Sequence, residues 1–118
     1  MTKTEYVKSL SGLKLDESLV AKVENVYGGS FPEMVKKVIT SAEDTIFFDD
    51  DYRVLSVSEM LDAEKDLHVD FKSKGVLPLV DCGDTDFIVY HFNDDIWSKF
   101  NIVDETIFKR KVSIDELI

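Results

Sequence analysis

The chain has 118 residues, 44% of them apolar, the size and make-up of one folded domain and not of a disordered tail. One cysteine, Cys82, excludes an internal disulfide and a cysteine-based zinc site. Acidic residues outnumber basic ones 24 to 14, leaving −10, which argues against nucleic acid and anionic lipid as partners.

That charge is concentrated. Glu43–Asp51 holds five carboxylates and no base, and Asp81–Asp95 holds another five with no base. The remaining residues balance to zero. The longest apolar runs, such as Val76–Val80, fall far short of the ~20 residues a membrane span requires. Met1–Leu10 has no apolar block of the kind a signal peptide carries. The expected location is the cytoplasm.

No repeat or linker-like tract divides residues 1–118, so one domain is expected. Asp16–Tyr27 predicts an amphipathic helix, with Leu19, Val20, Val23, Val26 and Tyr27 on one face and Gly28-Gly29 to end it. Ser30-Phe31-Pro32-Glu33 reads as a capping box opening a second helix with the stripe Phe31, Met34, Val35, Val38 and Ile39. Thr45–Phe48 and Tyr52–Leu55 read as a hairpin around the acidic turn Asp49-Asp50-Asp51. Ser56-Val57-Ser58-Glu59 is a second capping box, and its helix ends between Asp66 and Phe71. Lys72–Gly75 is expected to be a loop. Three strands follow, Val76–Cys82, Phe87–Phe92 and Ile96–Val103, joined by turns at Gly83–Asp86 and Asn93–Asp95. Phe87–Phe92 leaves little polar face and should lie inside the sheet, covered on both sides, with helix Asp16–Tyr27 over one of them. Ser113–Glu116 caps a last helical turn. The order predicts an α+β fold, a mostly antiparallel twisted sheet with helices packed on it.

Four segments in this order resemble a known family. Gly28 with Phe31-Pro32 resembles its G-x-x-L-P lead into a helix, and Arg53-Val54-Leu55-Ser56 followed by Glu59-Met60 is similar to its strand and S-x-x-E helix. Val76-Leu77-Pro78-Leu79-Val80-Asp81-Cys82-Gly83-Asp84 with Phe87 and Val89 resembles its L-P…G-D hairpin, and Trp97 sits where its next strand starts. The family is the SUKH superfamily, of SMI/KNR type. The resemblance covers Asp16 to the C-terminus and implies a non-catalytic α+β domain. Its bacterial members are immunity proteins that bind toxins of polymorphic toxin systems; others regulate cell-wall synthesis. The matched positions are structural, so the resemblance transfers no binding residue.

The residues allow other chemistry, and each option has a plainer reading beside it. Asp81, Asp84 and Asp86 with Asp49–Asp51 would, if adjacent, suit a divalent metal in an acidic hydrolase, yet Asp49-Asp50-Asp51 lacks the ligand ladder, central glycine and terminal glutamate of a calcium loop. Loop aspartates are commonly turn formers, and no metal or cofactor is expected. Cys82 and His91 would suit a nucleophile and base, but Cys82 closes an apolar strand and His91 lies between Tyr90 and Phe92. Gly28-Gly29-Ser30 lacks the Lys-Ser/Thr of a phosphate loop. Lys109-Arg110-Lys111 reads as an edge guard.

The expectation is therefore a non-enzymatic protein-binding domain, an immunity-type protein for a basic, nuclease-like toxin. A regulatory scaffold of the same fold is the alternative, and the metal-dependent hydrolase a third. The expected contact residues are Asp49, Asp50, Asp51, Asp84, Asp86, Asp94 and Asp95, steering a basic partner, with Tyr52 and Trp97 as anchors.

Overall fold

Thr2 opens the first helix, α1 (Lys3–Ser11), through a reciprocal cap: its hydroxyl accepts from Glu5 N, and the Glu5 carboxylate accepts from Thr2 N. The periodicity above begins only at Asp16, so α1 goes unforeseen, although Tyr6 and Leu10 mark its buried face four residues apart. The computed structural model describes residues 1–43, 45–49 and 51–117, and all that follows concerns these.

The second helix, α2 (Glu17–Tyr27), has Asp16 as N-cap and ends on Gly28 at φ 78°, the left-handed position foreseen for it. The third, α3 (Glu33–Ser41), departs from expectation at its start. Its N-cap is Pro32 with no side-chain cap bond, so Ser30 and Glu33 form no capping box. Proline holds the preceding residue extended, and Phe31 is drawn into the core edge-on to Tyr90 at 6.4 Å. The Phe31 amide donates instead to Glu24 Oε2 at 2.8 Å.

Two short strands follow, β1 (Phe47–Phe48) and β2 (Tyr52–Val54), and then α4 (Val57–Leu67), whose Ser56–Glu59 capping box is present as expected. Residues expected to be loop form the turn α5 (Phe71–Lys74), capped by Asp70, because Phe71 is buried against Phe100. Then come β3 (Val76–Gly83), β4 (Asp86–His91), β5 (Ile96–Asn101), β6 (Ile107–Lys111) and a last turn, α6 (Ile114–Leu117). Strand β5 stops before Val103 because the Asn101 side chain accepts from the amides of Val103 and Asp104 and turns the chain.

The strands form one open, twisted antiparallel sheet in the order β1-β2-β3-β4-β5-β6. The fold is α+β. Strand β4 is interior, paired with β3 and β5, and every side chain from Phe87 to His91 is at most 6% exposed. Since neighbouring side chains point to opposite faces, both faces are covered. Register shows which element covers which. Phe47, Arg53, Asp81, Phe87, Phe100 and Ile107 form one row across all six strands. Helices α4 and α5 lie over this face, with Phe71 on Phe100. On the opposite face α1 is anchored by Tyr6 stacked on Phe48 at 4.7 Å. Helix α2 packs on α3 and α4, and its Tyr27 reaches Phe92, just past the end of β4.

Pro78 sits beside a break in the β3–β4 register, a bulge that spares the ladder the missing N–H. Lys109, Arg110 and Lys111 are exposed on the outermost strand, where charge discourages pairing with another chain.

Gly75 links α5 to β3 at φ 72°, and a Cβ there would lie 2.5 Å from Asn93 Nδ2. Asn93 is exposed and its amide can turn aside, so Gly75→Ala is expected to lower stability by about 1 kcal/mol, mainly from the left-handed backbone. In urea unfolding, adding Asn93→Ala should restore little of it.

Candidate functional site

In an antiparallel meander successive turns lie at alternate ends of the sheet. The pairings Phe48–Tyr52, Gly83–Asp86 and Asp86–Asn101 place the β1–β2, β3–β4 and β5–β6 turns at one end. Asp49, Asp51, Asp84 and Asp86 gather there, joined by Asp104 and Glu105. The turn between β4 and β5 lies at the other end and takes Asp94 and Asp95 with it. The expected contact residues thus split into two groups. Asp50 lies outside the described residues, as does Asp44.

The acidic end is fixed by bonds between its turns. Asp84 and Thr85 both adopt positive φ, 49° and 67°, as a two-residue hairpin turn requires. A β-branched residue rarely tolerates this, but Thr85 is held: its carbonyl accepts from Ile102 N and its hydroxyl from Asn101 Nδ2, both at 3.0 Å. Asn101 also donates to Asp86 Oδ1 at 2.8 Å, tying β4 to β5. Asp49 Oδ1 accepts from Lys3 N, which pins the N-terminus to the β1–β2 turn. Glu105 meets Lys74 at 2.7 Å. Asp51 and Asp84 are exposed.

Behind this end lies a charged cluster. Arg53 on β2 donates to both Glu59 oxygens, at 2.6 and 2.8 Å, and its guanidinium is 3.8 Å from Asp81. The bidentate bond from Arg53 is the main reason the Glu59 carboxyl titrates at about 2; the Ser56 amide adds to it, and partial burial works against it. Arg53, Glu59 and Asp81, with Asp66, Leu55, Leu67 and Phe87, border a cavity of about 240 Å³ between α4 and the sheet.

The anchors differ from expectation. Trp97 is only 4% exposed and packs on Tyr90 at 5.2 Å, so it belongs to the core. Its strand is covered on both faces, which the local sequence does not reveal. Tyr52 is half-buried, edge-on to Phe48, with Lys99 Nζ 2.6 Å from its hydroxyl and 5.1 Å from its ring centre. Asp95, at the far end, accepts from Tyr90 Oη at 2.7 Å. The exposed aromatic at the acidic end is Phe47, at 53%. Phe47-Phe48 was the available signal: adjacent strand residues face opposite ways, and only Phe48 reaches α1.

Cys82 and His91 stand apart. His91 pairs with Val76, six residues from Cys82 and so roughly 20 Å along β3. Burial pushes the Cys82 thiol up to about 12, far from a thiolate. The His91 ring shares a 2.7 Å hydrogen bond with Ser98 Oγ, and burial, then the Arg110 charge, lowers its pKa. Among the described residues no three His, Cys, Asp or Glu side chains are grouped to hold a metal ion, and no helix is long and apolar enough to cross a membrane.

The Arg53–Glu59 pair makes stability depend on pH. A carboxyl depressed in the folded state stabilises above its unfolded pKa, near 4.5, and loses that increment as pH falls towards about 2. The pair is about one-third exposed, so solvent screening reduces its worth to about 1 kcal/mol. Urea unfolding at pH 6 and pH 3 is expected to show this loss in the wild type and not in Glu59→Gln.

Compared with protein-family models, with curated proteins and with solved structures, the chain matches none.

Proposed function

We propose that this chain is a non-enzymatic, SUKH-like binding domain, an immunity protein that sequesters a basic, nuclease-like toxin in the cytoplasm of the cell that makes it. One observation carries the reading: Asp49, Asp51, Asp84, Asp86, Asp104 and Glu105 share one end of the sheet, in three turns without a Lys or Arg. Like charges gathered on one surface repel and weaken a fold unless something offsets them. A basic partner does so, and the field of such an end speeds its approach. The ordered Thr85–Ile102 and Asn101–Asp86 bonds support the same reading, because rigid turns lose little freedom on binding. Asp94 and Asp95, at the opposite end, stand outside this surface, as does Trp97, buried beside Tyr90 near that opposite end. Phe47 takes the place of the aromatic anchor.

The test is binding to, and protection from, the protein encoded beside this chain's gene. Association should slow as salt rises, and Asp49→Asn with Asp51→Asn should slow it about tenfold at low salt while leaving dissociation nearly unchanged. Asp94→Asn with Asp95→Asn should leave the rate as it is. Absence of both binding and protection would remove the immunity reading; binding with salt-independent association would remove the acidic end from it.

A further inference from the structure

We infer that the cavity between α4 and the sheet receives one long cationic side chain, lysine or arginine, from the basic partner, a deepening that rests on the reading above. At about 240 Å³ it lies below the ~300–1,000 Å³ of sites for whole small molecules. Its walls are apolar, from Leu55, Leu67 and Phe87, and its charged groups are Glu59, Asp66 and Asp81 against Arg53, a net of −2. Lysine and arginine have this combination in reverse, an apolar stem ending in a positive head. The protein's own Arg53 shows the match: its guanidinium already lies between Glu59 and Asp81.

Two features make the site ready for a second cation. Arg53 occupies both Glu59 oxygens but lies 3.8 Å from Asp81 Oδ2, and Asp81 Oδ1 accepts from Gly83 N, so Asp81 is only loosely compensated. Asp66 is exposed in the last turn of α4, where the helix carbonyls already present negative charge. A carboxylate there is unfavourable in the free protein, and a cation beside it relieves the repulsion. The position suits docking as well. Asp81 starts on β3 two residues before the turn at the acidic end, so a partner drawn to that end meets the cavity beside it. Phe47 stands exposed on the same sheet row as Arg53 and Asp81, next to where the rest of the partner would lie.

The experiment is a ¹⁵N NMR titration of the whole protein with acetyl-Gly-Arg-Gly-amide, its lysine counterpart, and the citrulline peptide, which keeps the shape of arginine without its charge. The expected result is a saturable shift of the Leu55, Ala63, Leu67 and Phe87 amides with the arginine or lysine peptide. Affinity should be at least fivefold weaker for citrulline and at least threefold weaker in Asp66→Asn, a substitution at an exposed position. Equal shifts with citrulline, or no localised shift, would overturn the proposal. Shifts confined to Asp49, Asp51 and Asp84 would also overturn it, while leaving the acidic end as the docking surface. The toxin-binding experiment stands apart from this result, since it reads the acidic turns and not the cavity.

Discussion

From Phe87 to His91, strand β4 has no side chain to offer to water. Phe87, Ile88, Val89, Tyr90 and His91 alternate between two faces, and all are buried, so the fold must supply cover on both. The chain supplies it from two places. On one face the segment leading into α3 lays Phe31 edge-on to Tyr90, while α1 holds the β1 edge of the sheet through Tyr6, stacked on Phe48 and hydrogen-bonded to Ser41. On the other, the chain interrupts its meander after β2 and inserts α4 and α5 before β3 begins. That insertion brings Glu59 to Arg53 and creates the cavity between α4 and the sheet. The site is thus a consequence of covering β4.

Connectivity then sorts the charge. Three turns converge on one end of the sheet and one goes to the other, so aspartates that look alike along the chain end in different places. Those in the converging turns add their fields. Asp94 and Asp95 contribute to a separate region, and Asp95 is engaged by the Tyr90 hydroxyl. The few bases nearby have set tasks: Lys74 reaches Glu105, Lys99 lies on Tyr52, and Arg53 is held by Glu59. Among the described residues, a compensated cluster stands beside an end whose one ion pair is Lys74–Glu105, a division of labour in which the first holds strands and helix together while the second projects charge outward.

Cys82 and His91, the candidate nucleophile and base, do not meet. Cys82 is at one end of β3 and His91 pairs with its other end, where the ring bonds Ser98 across the strands. The side chains that combine charge, shape and access are instead Arg53, Glu59, Asp66 and Asp81. Arg53 with Glu59 and Asp81 is an ion-paired cluster at the border of the cavity, with the exposed carboxylate of Asp66 beside it.

Much of this was legible along the chain. The α+β order, the interior position of β4, the Ser56–Glu59 cap and the Gly28 ending all follow from patterns within a few residues. Local patterns also misled: Ser30 and Glu33 have capping spacing, but burial of Phe31 keeps the chain extended there and shifts the helix start. The sequence by itself determined how much negative charge the protein carries, and that it lies in turns. Which turns meet, that Trp97 is buried while Phe47 is exposed, and that Arg53 finds Glu59 and Asp81 were decided by the tertiary structure. The reason is that these depend on strand register and on the face each residue takes, and register is set by pairing between segments far apart in the chain.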